Sequence, residues 1–509
     1  MNPHGREAGK PDFCLALLGG ANSPGWASPG HSRGARFAAA VLSGVLFYFT
    51  LGFTPLWLAA WLAPIPLLLA AFHASRREAR LLAWLAAAIG LSSNFTYYLK
   101  TTGTVATVVL LLLQVLVWGF FVTRTHAAVV ASRNWPIVFA YPVLLAAIDT
   151  LVSFFSPHGT WGTFVYTQMD ALPVIQIASV LGAPAVAFLV GLFASTVAVA
   201  LYRGLRIERP LLAYGVPLVL IAAGLGYGAV RLRQAKTAPT VRIGIVSIDD
   251  FIGGNTPPER AEAVWRGYAD TVARLAREGA RIVVLPEKIT ALAPEEAAKR
   301  QLELASLAQR TGVYLVAGVE LNRAERKDNA SWLFSPTGEL LAEYHKQHLV
   351  PHLESDLAPG KEEIVRTIRG APFGLAICRD LIFTGFGRRY GRLGVSAMLV
   401  PAWDFYRDAW MASSVATLRG VESGYSVVRA GRESFLNVSD RYGHTIARQR
   451  SDYLPGSSVL VDLPLGPATP TLYARYGNAF GWLSVAASAM MIVLAGRAGN
   501  QLKPATANA

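Results

Sequence analysis

The sequence predicts two fold classes in one chain: an α-helical membrane bundle of about eight transmembrane helices, and an α/β domain lying between the last two. Three observations predict this. Hydrophobic residues make up 53% of the 509 and charged residues only 16%, against about 25% charged in ordinary soluble proteins. The deficit is uneven, because apolar runs fill the N-terminal part, composition then turns ordinary, and one last apolar run follows near the C-terminus. Within the ordinary stretch, short β-rich runs alternate with helical patterns.

Residues 1–35 are rich in Gly, Pro, Ser and Arg, with only the short apolar run FCLALLGG. They read as a disordered cytoplasmic tail rather than a cleaved signal peptide. A spanning helix needs about 20 largely apolar residues. The candidates are 37–52, 55–73, 80–99, 105–124, 135–155, 173–202 and 210–230, grouped as a seven-helix bundle over 36–231, with a last span at 479–496 and a tail at 497–509. With the N-terminus inside, the inner loops carry Arg76, Arg77, Arg80, Arg124, Arg133, Arg203, Arg206 and Arg209, while the outer loops near 100 and 156–172 carry only Lys100. That bias places residues 231–478 outside the cytoplasm.

The outer domain is expected over 239–468. TVRIGIVSI, RIVVLPE, VYLVAGVEL, FGLAIC, VSAMLVPAW and SSVLVDL read as strands; ERAEAVWRGYADTVARLAREG and EEAAKRQLELASLAQRTG read as helices, each closed by a Gly. NASWLFSPTGELLAEYHKQHL reads as a hairpin turning at Pro336-Thr337-Gly338.

Net charge is +14, yet no basic stripe interleaved with aromatics marks the globular part. The charge reads as membrane-flanking and not as a nucleic-acid surface. Cys14 and Cys378 are too few for a zinc quartet or a disulfide framework, and the topology separates them. His345, His348 and His352 lack a metal-ligand spacing, so no metal is expected. GRRYGRLG (387–394) reads as a solvated basic loop, with contact to a lipid phosphate as the second reading. Asp149 and Asn94, in apolar spans, are expected to face the bundle interior.

Three polar groups follow hydrophobic strands: Glu287 in RIVVLPE, Lys346 in EYHKQHLVP and Cys378 in FGLAIC. Taken singly, such a cysteine is a small buried hydrophobe, such a glutamate a cap, and such a lysine a solvated side chain. Together, an acid, an ammonium and a thiol can divide the work of acyl transfer. The carboxylate takes the thiol proton, the thiolate attacks, and the ammonium faces the oxyanion.

LPEKIT, YHKQHLVP and AICRD resemble the nitrilase superfamily, whose triad is Glu, Lys and Cys in this order, and whose fold is a four-layer αββα sandwich. Eight spans around such a domain are similar to the apolipoprotein N-acyltransferase family. The resemblance extends to GVLFYFTLGFTPLWLAAWLAPIPLLLA, SPHGTWGTFVYTQ, HKQHLVPHLE and LYARYGNAFGWL. It implies a multi-pass protein of the bacterial inner membrane with a periplasmic catalytic domain. Its expected activity moves an acyl chain from a phospholipid, through a cysteine thioester, to the N-terminal amine of a lipoprotein, without metal or soluble cofactor. By the same resemblance Glu287 is the base, Lys346 stabilises the oxyanion, Cys378 is the nucleophile and Glu354 supports the lysine; Asp380 is a further supporting candidate. Trp403, Arg379 and Trp161 are candidate substrate contacts. The chain departs from the family at Arg379-Asp380, at PAWDF (401–405) and at VVRAGRESFLNVSD. A membrane-tethered amide hydrolase with the same triad, acting on another substrate, and a catalytically silent binding protein are the competing readings.

Overall fold

The computed structural model describes residues 32–234 and 239–501, with side chains to 494. Cys14 and nearly all of the expected N-terminal tail lie outside the described residues. Ser32 caps the first described helix, Arg33–Leu51, its hydroxyl accepting from the Ala35 N–H at 3.0 Å, as an N-cap serine does. Helical structure therefore begins inside the stretch expected as tail.

Among the described residues five helices are long and apolar enough to cross a membrane: Arg33–Leu51, Thr104–Ala131, Trp135–Phe155, Ala183–Arg206 and Pro210–Arg233. The expected count of eight is not reproduced among the described residues, because two of the expected spans are broken into shorter helices and the described apolar part of the last is short. The run 55–73 splits into Trp57–Leu62 and Pro64–Phe72, where Pro64 starts a new helix. The run 80–99 divides into Arg76–Leu91, a 3₁₀ turn and Phe95–Thr102. The last helix is Ala479–Gln501, longer than the expected span, with a described apolar part of Ala479–Leu494. The long run 173–202 also breaks, into two single turns and Ala183–Arg203. Gly182, at φ +83°, makes the last of those corners. Side chains such as Val105, Leu112, Leu113 and Leu116 on Thr104–Ala131 stay exposed, as a lipid-facing helix requires. Asp149 and Asn94 are buried; Asp149 Oδ1 accepts the Phe164 N–H at 3.2 Å and Asn94 Nδ2 donates to the Leu51 carbonyl at 2.9 Å.

Beyond the bundle, two sheets pack face to face. One runs Ser457–Pro464, Thr240–Ser247, Ile282–Val284, Tyr314–Asn322, Lys327–Phe334, Leu340–His345, with Ala291–Leu292 added beside Tyr314–Asn322. The other runs Thr445–Arg450, Phe435–Ser439, Ser426–Arg432, Ala397–Trp403, Ala371–Leu375, Val365–Ile368. Ile243, Val284 and Leu333 of the first meet Leu375, Leu399 and Val427 of the second in one core. The first sheet's outer face carries helices Pro258–Arg277 and Pro294–Thr311, whose Val264, Tyr268 and Leu307 enter a second core. Lys327–Phe334 and Leu340–His345 pair antiparallel around Gly338, at φ +83°, as the hairpin reading expects.

Helix Ala409–Ser423 covers the second sheet and is buried at every position but Trp410. Its Met411, Val415, Leu418 and Val421 pack into the same cluster as Val165, Tyr166 and Ile175 of the bundle. A helix buried all round is one covered on both sides, and its Arg419 and Glu422 pair with each other at 2.6 Å. The stretch GRRYGRLG, expected as a loop, belongs to helix Thr384–Arg392. Phe386 and Tyr390, one turn apart, are fully buried, and Gly387 and Gly391 let the helix approach Tyr425 and Ser423 closely.

Gly318 fixes how near the strand Tyr314–Asn322 comes to Glu287. Its N–H donates to the Pro286 carbonyl at 3.1 Å, and a Cβ there would lie 2.4 Å from that oxygen and 2.6 Å from Glu287 Cα. Gly318→Ala is expected to destabilise the domain by about 1–3 kcal/mol, the usual penalty of overpacking, and to displace Glu287. A thermal unfolding midpoint in detergent that matches the parent would show that this close approach is not needed.

Candidate active site

The functional side chains come from loops at the ends of strands in both sheets. Glu287 follows Ile282–Val284, and its N–H reaches across to the Ala402 carbonyl at 3.4 Å. Lys346 follows Leu340–His345, its N–H bonded to the Asn329 carbonyl at 2.9 Å. Cys378 opens the 3₁₀ turn Cys378–Ile382 just after Ala371–Leu375.

Lys346 is 1% exposed. Its ammonium donates to Glu287 Oε1 and to Glu354 Oε2, both at 2.8 Å. Asn329 Nδ2 bridges the same two carboxylates, at 2.6 Å to Glu287 and 2.7 Å to Glu354, and the Val350 N–H adds a third donor to Glu354 at 2.7 Å. Burial opposes the lysine's charge, but Glu287, the Cys378 sulfur and Glu354 outweigh it and hold the ammonium protonated far above its usual range. Burial would likewise raise the Glu354 carboxyl, yet Lys346 and the three hydrogen bonds keep it below the ordinary carboxylate range. Glu287 Oε2 is buried with no hydrogen-bond partner among the described residues.

The Cys378 thiol donates to the Trp403 carbonyl at 3.4 Å and lies 3.9 Å from Asp404 Oδ1 and 4.0 Å from Arg429 Nη2. Burial first, and then the negative charge of Glu287, push the thiol far up, while Lys346 and Arg429 pull the other way without cancelling them. The resting sulfur is a neutral thiol that needs a base before it can attack. Its backbone sits at φ +42°, a left-handed conformation that non-glycine residues adopt only when the surroundings impose it.

Asp380 imposes part of it. Fully buried, it accepts the Ile377 N–H (3.0 Å) and the Tyr344 hydroxyl (2.7 Å) on Oδ2, and the His348 (2.9 Å) and Gln347 (3.2 Å) N–H groups on Oδ1. One carboxylate thus ties the cysteine turn to the segment carrying Lys346. His348 also bonds Asp380 through Nδ1 and stacks on Phe383 at 4.0 Å, and His345 contacts Glu343 and Asp328.

The three residues expected as substrate contacts are placed differently from one another. Arg379 donates to the Pro157 carbonyl in the loop entering from the bundle, and Thr160 of that loop bonds the Ile382 carbonyl through its hydroxyl at 2.8 Å. Trp161 lines a narrow cleft of the bundle with Phe53, Asn94, Tyr98 and Met411. The Trp403 ring lies under the Arg432 guanidinium, 3.5 Å from its centroid, with Phe251 beside it. Glu287, Lys346 and Glu354 share one hydrogen-bonded network, Asp380 ties the Cys378 turn to the segment just after Lys346, Glu287 and Lys346 act on the sulfur through space, and Trp161 stands apart.

Sequence reasoning missed Asn329, Asp404 and Arg429. Asp404 and Arg429 form a buried ion pair at 2.6 Å beside the sulfur, and the Ser434 hydroxyl also donates to Asp404. The signal was present: two arginines, Arg429 and Arg432, interrupt the otherwise apolar strand Ser426–Arg432, and a buried arginine demands a partner. Burial and the charge of Asp404 push neighbouring Asp408 up to about 6, and Tyr97 of the bundle donates to it at 2.9 Å.

The family Apolipoprotein N-acyltransferase N-terminal domain matches residues 43–196, and the family Carbon-nitrogen hydrolase matches residues 251–447. An amidase from Nesterenkonia sp. superposes with a TM-score of 0.41 at 19% identity, over 48% of this chain and 96% of its own. The apolipoprotein N-acyltransferase of Bradyrhizobium diazoefficiens is 26% identical over 69% of this chain and 72% of its own. That of Geobacter metallireducens is 26% identical over 91% of this chain and 95% of its own. With both domain matches in one chain and relatives aligned along most of its length, the chain is similar in both of its parts to apolipoprotein N-acyltransferases, and its second domain matches the carbon-nitrogen hydrolase family.

Proposed function

We propose that this chain is a membrane-bound N-acyltransferase that takes an acyl chain from a phospholipid onto Cys378 and passes it to the N-terminal amine of a lipoprotein. In this reading the domain faces the periplasm of a bacterial inner membrane. The observation that carries it is the buried Lys346 ammonium shared between Glu287 and Glu354, with the second Glu287 oxygen left unpartnered among the described residues.

Glu287 Oε2 takes the Cys378 proton, and the thiolate attacks the ester carbonyl of the lipid. Two of the three Lys346 N–H groups are held by Glu287 and Glu354, which leaves the third for the oxyanion. Arg429, at 4.0 Å, adds positive charge beside the sulfur. As the intermediate collapses, Glu287 returns the proton to the departing lysophospholipid oxygen, leaving a thioester. The acceptor amine then attacks that thioester, gives a proton to Glu287, and the sulfur leaves to recover it. The products are an amide and the resting thiol.

Purified protein given labelled phospholipid is expected to show an acyl adduct on Cys378 by mass spectrometry, discharged by a lipopeptide amine and absent in Cys378→Ser. Discharge by water alone, with no transfer to the amine, would instead make the enzyme a hydrolase, and no adduct from any phospholipid removes the acyltransferase reading.

Glu287→Gln separates the base from a structural role. It should lower the transfer rate by about 10²–10⁴-fold, the usual share of a general base. Because the Glu287 charge raises the thiol, the same change should lower the Cys378 pKa. A titration of thiolate absorbance in a Cys14→Ser background reads this, and a thiol that titrates higher in Glu287→Gln contradicts the assignment.

A further inference from the structure

A second polar cavity, of about 300 Å³, lies at the junction of the bundle and the sandwich, and Ser179, Tyr227, Arg231, Arg441, Thr471 and Arg475 line it. Cys378 and the residues around it take no part in its walls. Its position is fixed by both crossings of the chain: Tyr227 and Arg231 sit in the last turns of helix Pro210–Arg233, and Thr471–Arg475 lead into helix Ala479–Gln501. Leu472 and Tyr476 at this level are exposed, as interfacial anchors are.

The charge in the cavity is one-sided. Arg231 and Arg441 are 8% and 9% exposed, and both guanidiniums stand over the Tyr442 ring, at 5.1 and 5.9 Å. Neutral groups satisfy part of them: Gln176 and the Val421 carbonyl for Arg231, the Pro467 carbonyl for Arg441. Arg441 Nε is buried and has no partner among the described residues. Among those residues none of the three arginines forms an ion pair with a carboxylate. Asp440 acts on Arg231 and Arg441 through space, but its own oxygens are taken by His444 Nδ1 at 2.8 Å and by the Tyr442 and His444 N–H groups. Two like charges held near each other out of water are unfavourable until an anion joins them. A phosphate suits guanidinium geometry, and headgroup phosphates lie where membrane helices leave the hydrocarbon.

We propose that this cavity binds the phosphate of a phospholipid headgroup through Arg231, Arg441 and Arg475, at a site separate from Cys378. The inference rests on the two crossing helices and not on the chemistry at the sulfur, so it stands or falls independently of the acyltransferase reading.

The test uses the full chain, delipidated in an uncharged detergent, with native mass spectrometry counting retained lipid. Phosphatidylglycerol, diacylglycerol and inorganic phosphate are the probes. The parent protein is expected to retain one more phosphatidylglycerol than Arg441→Gln or Arg475→Gln, with binding about tenfold weaker in each variant. Diacylglycerol should show no such difference. Arg475 is exposed, so its variant tests the site without disturbing a buried contact. Equal retention in parent and both variants overturns the proposal, as does diacylglycerol held as well as phosphatidylglycerol. Inorganic phosphate bound in the parent, lost in the variants and not displaced by phosphatidylglycerol would assign the site to an aqueous anion and overturn the lipid assignment.

Discussion

An ammonium cut off from water and divided between two carboxylates is the constraint that the rest of the sandwich serves. Lys346 has no solvent to stabilise it, so Glu287 and Glu354 must both stay in place, and Asn329 must stay between them. Breaking a buried pair of this kind by removing one partner typically costs about 3–5 kcal/mol, because the other charge is left stranded. Four separate pieces of chain are locked to one another by that requirement: the ends of two strands, the middle of a third, and the loop that carries Glu354. Precise placement of the Glu287 carboxylate is the by-product.

A second buried pair stands beside the sulfur. The segments PAWDF and VVRAGRESF are far apart in sequence, yet Asp404 from one and Arg429 from the other meet beside Cys378. The divergent stretches are thus one feature and not two. Asp380, at the third divergent point, is not idle either, since it holds the turn that forces Cys378 into its left-handed backbone. All three stretches therefore bear on the support of the thiol.

Much of this was legible in the sequence, for identifiable reasons. Strand ends can be read from apolar runs, so Glu287, Lys346 and Cys378 stood out as polar groups at the right places. The Asp404–Arg429 contact could not be read, because it depends on the register of Ala397–Trp403 against Ser426–Arg432. Helix Thr384–Arg392 hid behind two glycines that look like loop residues but serve close packing, with Phe386 and Tyr390 as the periodic signal that outweighs them. Hydropathy located the membrane segments but not their breaks at Pro64 and Gly182, where backbone geometry and not composition decides.

Helix Ala409–Ser423 has no face for water, and that limits what can be done with the halves of this molecule. Cut free of its bundle, the sandwich would expose Met411, Val415, Leu418 and Val421 as an oily stripe, and the cysteine turn would lose the braces that Pro157 and Thr160 provide. A water-soluble version would have to be rewritten along that helix and not merely trimmed. The two parts are therefore not modules joined by a tether but a single folding partnership, in which the lipid-embedded portion finishes the interior of the catalytic one.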